Sequence, residues 1–163
     1  MNIIKLLAYS HYLKNCYLNT FSKLPWNEVV KDRGASFGSL RNILLHVISY
    51  EDLLVNHLLQ GDTREPVINF EDFDSIEKIK QYMELVNSGV NEYLDTVTIE
   101  ELSRKVERRF KDGTILLLTV EDVLIHLFQE GIHHMGEFIA LLWQMDIEPP
   151  HLGWAKYINK PPS

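Results

Sequence analysis

The sequence has one cysteine in 163 residues, so Cys16 can close no disulfide within the chain and build no cysteine-rich zinc site. It falls on an apolar helical stripe, the ordinary place for a small core residue. No uninterrupted apolar run approaches the roughly 20 residues of a membrane span. Residues 1–10 lack a charged start followed by a sufficient apolar stretch, so no secretory signal is expected and the expectation is a cytoplasmic protein. Basic charge is also short. Lys and Arg number 16 against 23 Asp and Glu, a net charge of -7. That balance excludes a nucleic-acid backbone as partner, which needs clustered cations, and is poor for an anionic membrane surface. The one short basic cluster, Arg104, Lys105, Arg108, Arg109 and Lys111, is diluted by Glu107 and Asp112 and reads as a solvated hairpin face. There is no internal repeat, linker or low-complexity tract. The length suffices for a single domain over 1–163 with a full core.

What the sequence does have is one long amphipathic stretch near its end. Val120, Leu124, Leu127, Gly131, His134, Phe138, Leu141 and Met145 recur at steps of four and three, the spacing of one helical seam. His134 interrupts that seam, and Glu130 stands one turn before it. Positions i and i+4 lie about 40° apart around a helix, so the two side chains can converge on one point.

Upstream, residues 3–23 predict a first helix with Leu6, Tyr9, Leu13 and Cys16 on one stripe and His11 beside it, ended by Pro25. Residues 26–38 read as irregular. Ser36 or Ser39 can cap a second helix over 39–60. Its seam is Leu40, Leu44, Val47, Leu54 and Leu58, interrupted by Glu51, with Ile43, His46, Tyr50 and Leu53 alongside. A helix apolar over so wide an arc is packed on two sides, as in a bundle. The connection 61–73 is too long for a tight antiparallel turn and reads as a crossover that would let helices two and three run parallel. The segment 74–77, from Asp74 to Glu77, resembles a capping box for a third helix through Ile76, Ile79, Met83, Val86, Val90 and Leu94. Residues 105–110 and 114–118 flank Asp112 and Gly113, a hairpin signal. Thr119, with Asp122 three residues on, caps the fourth helix. Trp154 and Tyr157 in the tail predict that part of it docks on the bundle.

His46, Glu130 and His134 are the candidate metal ligands. Two imidazoles and a carboxylate suit a borderline divalent ion such as Zn, Ni or Fe, and three protein ligands leave room for water or substrate. His57 faces the same way as His46 but about 16 Å further along the helix, too far to share an ion. His126, two turns before His134, suits a supporting role or core packing, and His133 points about 100° away from His134. Against the metal stand a helix-surface ion pair for Glu130 and His134 and an ordinary core role for His46. Glu51, if buried near a cation, could stay ionised and act as a general base or hold a ligand in place; otherwise it pairs with a Lys or Arg at the rim.

In order, these features resemble the DinB/YfiT-like superfamily of metalloenzymes over nearly the whole chain. Segment 36–46 is similar to the family's second-helix start, which ends in a metal-binding His, and Glu51 matches an acidic position common in that helix. Residues 110–119 resemble its hairpin and final cap, and 147–150 its ending after the last helix. His126, Glu130 and His134, then Met135, Gly136 and Glu137, resemble a motif of three histidines four apart followed by Arg-Gly-Gln. Glu130 stands where the family has a histidine, Met135 where it has Arg and Glu137 where it has Gln.

The resemblance implies an all-α fold, a four-helix bundle with left-handed twist and up-down-down-up order, a long crossover between helices two and three, and a small β-hairpin before helix four. It implies a homodimer. It also implies a metal-dependent enzyme acting on a small-molecule substrate, a transferase using a low-molecular-weight thiol or a hydrolase, with Glu51 and His126 as catalytic candidates. The alternative is a non-catalytic, stress-related dimeric bundle whose site is vestigial or purely structural.

Overall fold

The computed structural model describes residues 3–67, 69–110, 112–151 and 153–159. Lys111 of the basic cluster, the first two residues and the tail beyond 159 lie outside them. The chain is mostly helical with one small antiparallel sheet. Helix α1 is Ile3–Phe21, α2 Trp26–Val30, α3 Leu40–Glu51, α4 Ile76–Thr96, α5 Ile99–Ser103, α6 Val120–Gln144 and α7 Trp154–Ile158. Helices α1, α3, α4 and α6 pack against one another around a shared apolar core. No described helix is long and apolar enough to cross a membrane.

The caps follow local chemistry. Ser39, not Ser36, caps α3, its hydroxyl accepting from the Asn42 amide at 3.2 Å. Thr119 and Asp122 close a reciprocal capping box on α6. At α4 the expected box is displaced by one residue: Ser75 is the cap, and Asp74 instead pairs with Lys78 at 2.8 Å. The stretch expected to be irregular contains α2, for which Pro25 supplies a pre-set φ just before the first turn.

Two seams differ from expectation. On α1 the buried line runs through Leu7, Ser10, Lys14, Tyr17 and Phe21, while Leu6 and Cys16 are only half-buried. Tyr9 and Leu13 of the expected stripe are buried, but the apolar pattern misses the rest of the arc because two polar residues, Ser10 and Lys14, face the core. The second helix changes type after Glu51, and Asp52–Leu59 is a π-helix in which the Gln60 amide reaches back five residues to the Val55 carbonyl. The wider turn shifts the register, so Leu59 is buried and Leu58 only half-buried, while Leu53 at the segment's start is exposed. The π segment carries a buried carboxylate, Asp52, which accepts from Asn56 at 2.7 Å, Tyr82 at 3.0 Å and Arg64 at 3.0 Å. These bonds tie the crossover and α4 to the helix.

The hairpin pairs β1, Lys105–Arg109, with β2, Ile115–Thr119, in antiparallel register, Glu107 opposite Leu117. Gly113 takes φ 88° in its loop, which only glycine adopts without strain. The tail docks as expected: the Tyr9 ring meets Trp154 at 5.3 Å and Tyr157 at 5.1 Å.

Candidate metal centre

The α6 seam is buried from Val120 through Leu141, with Met145 half-buried, and His134 lies in it as the periodicity requires. Glu130 is one turn earlier on the same helix, and His46 reaches the same point from α3. One ligand atom from each of His46, Glu130 and His134 lies within 4.8 Å of the other two. The Glu130 carboxylate is 3.6 Å from His134 Nε2 and 4.0 Å from His46 Nε2. Three donors placed tetrahedrally at about 2.0–2.2 Å from one ion lie about 3.3–3.6 Å apart, so the Glu130–His134 pair is already at that spacing and the set as a whole closes by about 1 Å.

Orientation supports the same reading. His134 Nδ1 is held at 2.5 Å by Glu137, the residue three positions on. That leaves Nε2 facing Glu130 and His46, the arrangement in which a carboxylate fixes a ligating imidazole. Glu137 is itself held by the Ser36 amide at 3.1 Å and the Ser36 hydroxyl at 2.8 Å. Burial pushes the Glu137 carboxyl up, but the bonds from His134 and Ser36 outweigh it and hold its pKa below the usual value. Burial, and then the neighbouring His134, push the His46 pKa down against the pull of Glu130 and Glu137, favouring the neutral ring a metal needs. Phe37 stacks on His46 at 3.9 Å between centroids and meets His134 edge-on at 5.6 Å, closing one side. The site thus depends on the loop before α3, not only on the helices.

Beside the three ligands is a cavity of about 10 Å³, room for about one water. Its wall includes Ser10, Lys14, Tyr50 and Glu51. Gly131 belongs to the same wall, and a Cβ there would stand 2.8 Å from Ser10 Oγ, so α1 approaches α6 closely at this level.

Glu51 is buried between two partners from α1. Lys14 Nζ donates to one carboxylate oxygen, and His11 Nε2 lies 2.6 Å from the other. The cation beside Glu51 is therefore in the core, not at the rim. Burial pushes the Lys14 amine down to about 7. Burial and then Lys14 push His11 down to about 3, against a hydrogen bond with Asn91. His126 does not join the three ligands; its Nε2 meets the Tyr50 hydroxyl at 2.8 Å. His57 lies in the π segment with Nδ1 on the Asp62 carbonyl at 2.9 Å, and His133 is exposed.

Sequence reasoning missed Lys14, Ser36, Phe37 and the role of Glu137. The signal for Glu137 was available, since a carboxylate at i+3 from a histidine can reach its ring. Nothing in spacing marked Ser36 or Phe37, which sit in a loop.

The model of the DinB family matches residues 2–160 of this chain. The uncharacterised protein YizA of Bacillus subtilis (strain 168) is 20% identical over 147 residues, 90% of each chain. A crystal structure of a conserved protein from Enterococcus faecalis superposes with a TM-score of 0.61 at 14% identity, over 85% of this chain and 92% of that one. At that identity the likeness concerns the fold alone.

Proposed function

This chain belongs to the DinB family, and from that premise we propose that it is a divalent-metal-dependent enzyme acting on a small molecule, with His46, Glu130 and His134 as its metal ligands. The observation that carries the proposal is the convergence of these three donors from two helices, with His134 oriented by Glu137. The chemistry that a Zn, Ni or Fe ion supplies when bound is the acidification of a thiol or water into a nucleophile at neutral pH. Two neutral imidazoles and a carboxylate suit such an ion, and Glu130 in place of a third imidazole lowers the net charge of the set by one.

In this reading the substrate reaction is a thiol-dependent transfer or a hydrolysis. The protein residues orient and exclude. Phe37 shields one side of the imidazoles. His126 fixes the Tyr50 hydroxyl at the cavity wall and is placed to accept a proton there. Glu51, anchored by Lys14 and His11, supplies the negative charge on the inner side of the same cavity.

The proposed architecture is a single domain, an up-down-down-up four-helix bundle with left-handed twist that assembles as a homodimer. Partner pairs favour that order. Asp52 bonds Tyr82 and Gln60 bonds the Gly89 carbonyl, as parallel α3 and α4 require, whereas Tyr50 meets His126 and His46 meets His134, as antiparallel α3 and α6 require.

The test is a zinc titration of protein stripped of metal, by calorimetry, followed by a panel of low-molecular-weight thiols with a chromogenic electrophile. Stoichiometric binding lost in His134→Ala and Glu130→Ala supports the metal reading; binding unchanged in both removes it. Binding with no turnover by any thiol or by water favours the alternative, a structural site in a non-catalytic bundle.

A further inference from the structure

The hairpin arginines are not equivalent. Arg104 is paired with Glu101 at 2.7 Å and Arg109 with Glu107 at 2.9 Å. Arg108 has no carboxylate partner among the described residues. Its guanidinium lies over the Tyr50 ring at 5.2 Å and the Phe110 ring at 4.7 Å, half-buried. Aromatic faces hold a guanidinium in place while leaving its N–H edge open to planar, bidentate contact with a carboxylate or phosphate.

Two further observations place this cation. Tyr50 lines the cavity beside the candidate ligands and stacks on His46 at 5.6 Å, so Arg108 is separated from the His46 imidazole by one aromatic ring. On its other side Arg108 borders a groove of about 260 Å³ between the hairpin and the π segment, whose remaining wall is Leu53, Leu54, His57, Leu58 and Arg109. Three leucines and two arginines make an apolar trough with a cationic rim. Leu53, the second residue of the π segment, is 41% exposed on this wall.

We propose that this groove binds the body of the substrate, and that Arg108 receives an anionic group on it: the ligand class is an organic anion with an apolar portion, such as an alkyl or aryl carboxylate. The proposal rests on the metal-site reading for its reaction but not for its binding. A mostly apolar trough with one convergent charged group is the usual composition of a small-molecule site. The cavity at the metal ligands has room for about one water, so a substrate must extend from it onto an adjoining surface. The groove lies two stacked groups, Tyr50 and Arg108, away from His46, and its two arginines complement an anion despite the net negative chain.

The probes are octanoate and octanol, which share a chain and differ in charge, titrated calorimetrically into metal-free and zinc-loaded protein. Octanoate is expected to bind at least about tenfold more tightly than octanol, the factor that about 1.4 kcal/mol carries. Arg108→Gln should remove that advantage and leave octanol unchanged, and Arg108→Lys should retain part of it. Leu53→Asp, at an exposed position, should weaken octanoate more than octanol. Added salt should weaken octanoate alone. Equal binding of both probes, or octanoate binding unchanged in Arg108→Gln, overturns the proposal. So does a change in sedimentation of Arg108→Gln, which would assign the face to a second copy of the chain. Failure of zinc to bind wild type would remove the metal reading and leave the octanoate comparison intact, because it is also made without metal.

Discussion

Lys14 on α1 donates to Glu51 on α3 inside the core, where Lys14 is 1% and Glu51 2% exposed. Lys14 also donates to Asn87 Oδ1 on α4 at 3.1 Å, so one ammonium joins three helices at the level of the metal cavity. Burying a charge is costly unless its partner is in place, and removing one member of a buried pair leaves the other uncompensated. Lys14→Met is therefore expected to lower unfolding free energy by about 3–5 kcal/mol. Lys14→Met with Glu51→Met should recover most of that loss. Urea denaturation of both variants, with coincident fluorescence and circular dichroism, measures the difference; equal instability of single and double variants would contradict the pairing.

His11 gives the protein an acid-sensitive limb. Its folded pKa, about 3, lies below the ordinary value of 6.5, so below 6.5 the unfolded chain takes a proton that the folded one refuses. Stability from this group is full above 6.5 and is lost as pH falls toward 3, on the order of a few kcal/mol. His11→Gln is expected to flatten the decline of the urea midpoint between about pH 6.5 and about pH 5, where few carboxylates titrate. A decline as steep as that of wild type in this window would show that another group carries it.

Glu137 acts through His134. Glu137→Ala frees Nδ1 and the ring's rotation, and loss of such an outer carboxylate costs about 10–100-fold in metal affinity. The expectation is that range in a competitive zinc titration, with little change in thermal midpoint. Ser36→Ala, which removes one of the two bonds from Ser36 to Glu137, should show a smaller loss in the same direction. Affinity unchanged in both would mean that the hydrogen bond does not position the ligand.

Gly89 on α4 faces Asn56 in the π segment. A Cβ there would lie 2.6 Å from Asn56 Oδ1. That amide cannot swing aside freely, because it donates to Asp52 at 2.7 Å and accepts from Gln60 at 2.9 Å. Gly89→Ala should destabilise by about 1–3 kcal/mol, overriding the gain of about 1 kcal/mol that alanine brings to a helix interior. Thermal unfolding reads the sign directly.

Much of this protein was legible from local pattern. The α6 seam, its Thr119 cap and the hairpin each rest on residues close in sequence, where spacing and turn chemistry decide. Glu130 and His134 were readable for the same reason, since four residues on one helix fix their relation. The seam of α1 was read only in part, at Tyr9 and Leu13, because Lys14 and Ser10 occupy core positions that only partners on other helices make tolerable. The π-helix was invisible because no local preference requires the wider turn; buried Asp52, bonded to Tyr82, Arg64 and Asn56, accompanies it.

By itself the sequence determined where the four long helical stretches run and which face of α6 is apolar, because both follow from periods of a few residues. Tertiary structure alone decided that His46 meets Glu130 and His134, that Lys14 lies against Glu51, and that Arg108 has no carboxylate partner among the described residues. Those are relations between segments dozens of residues apart, set by how the helices pack, and no local spacing encodes them.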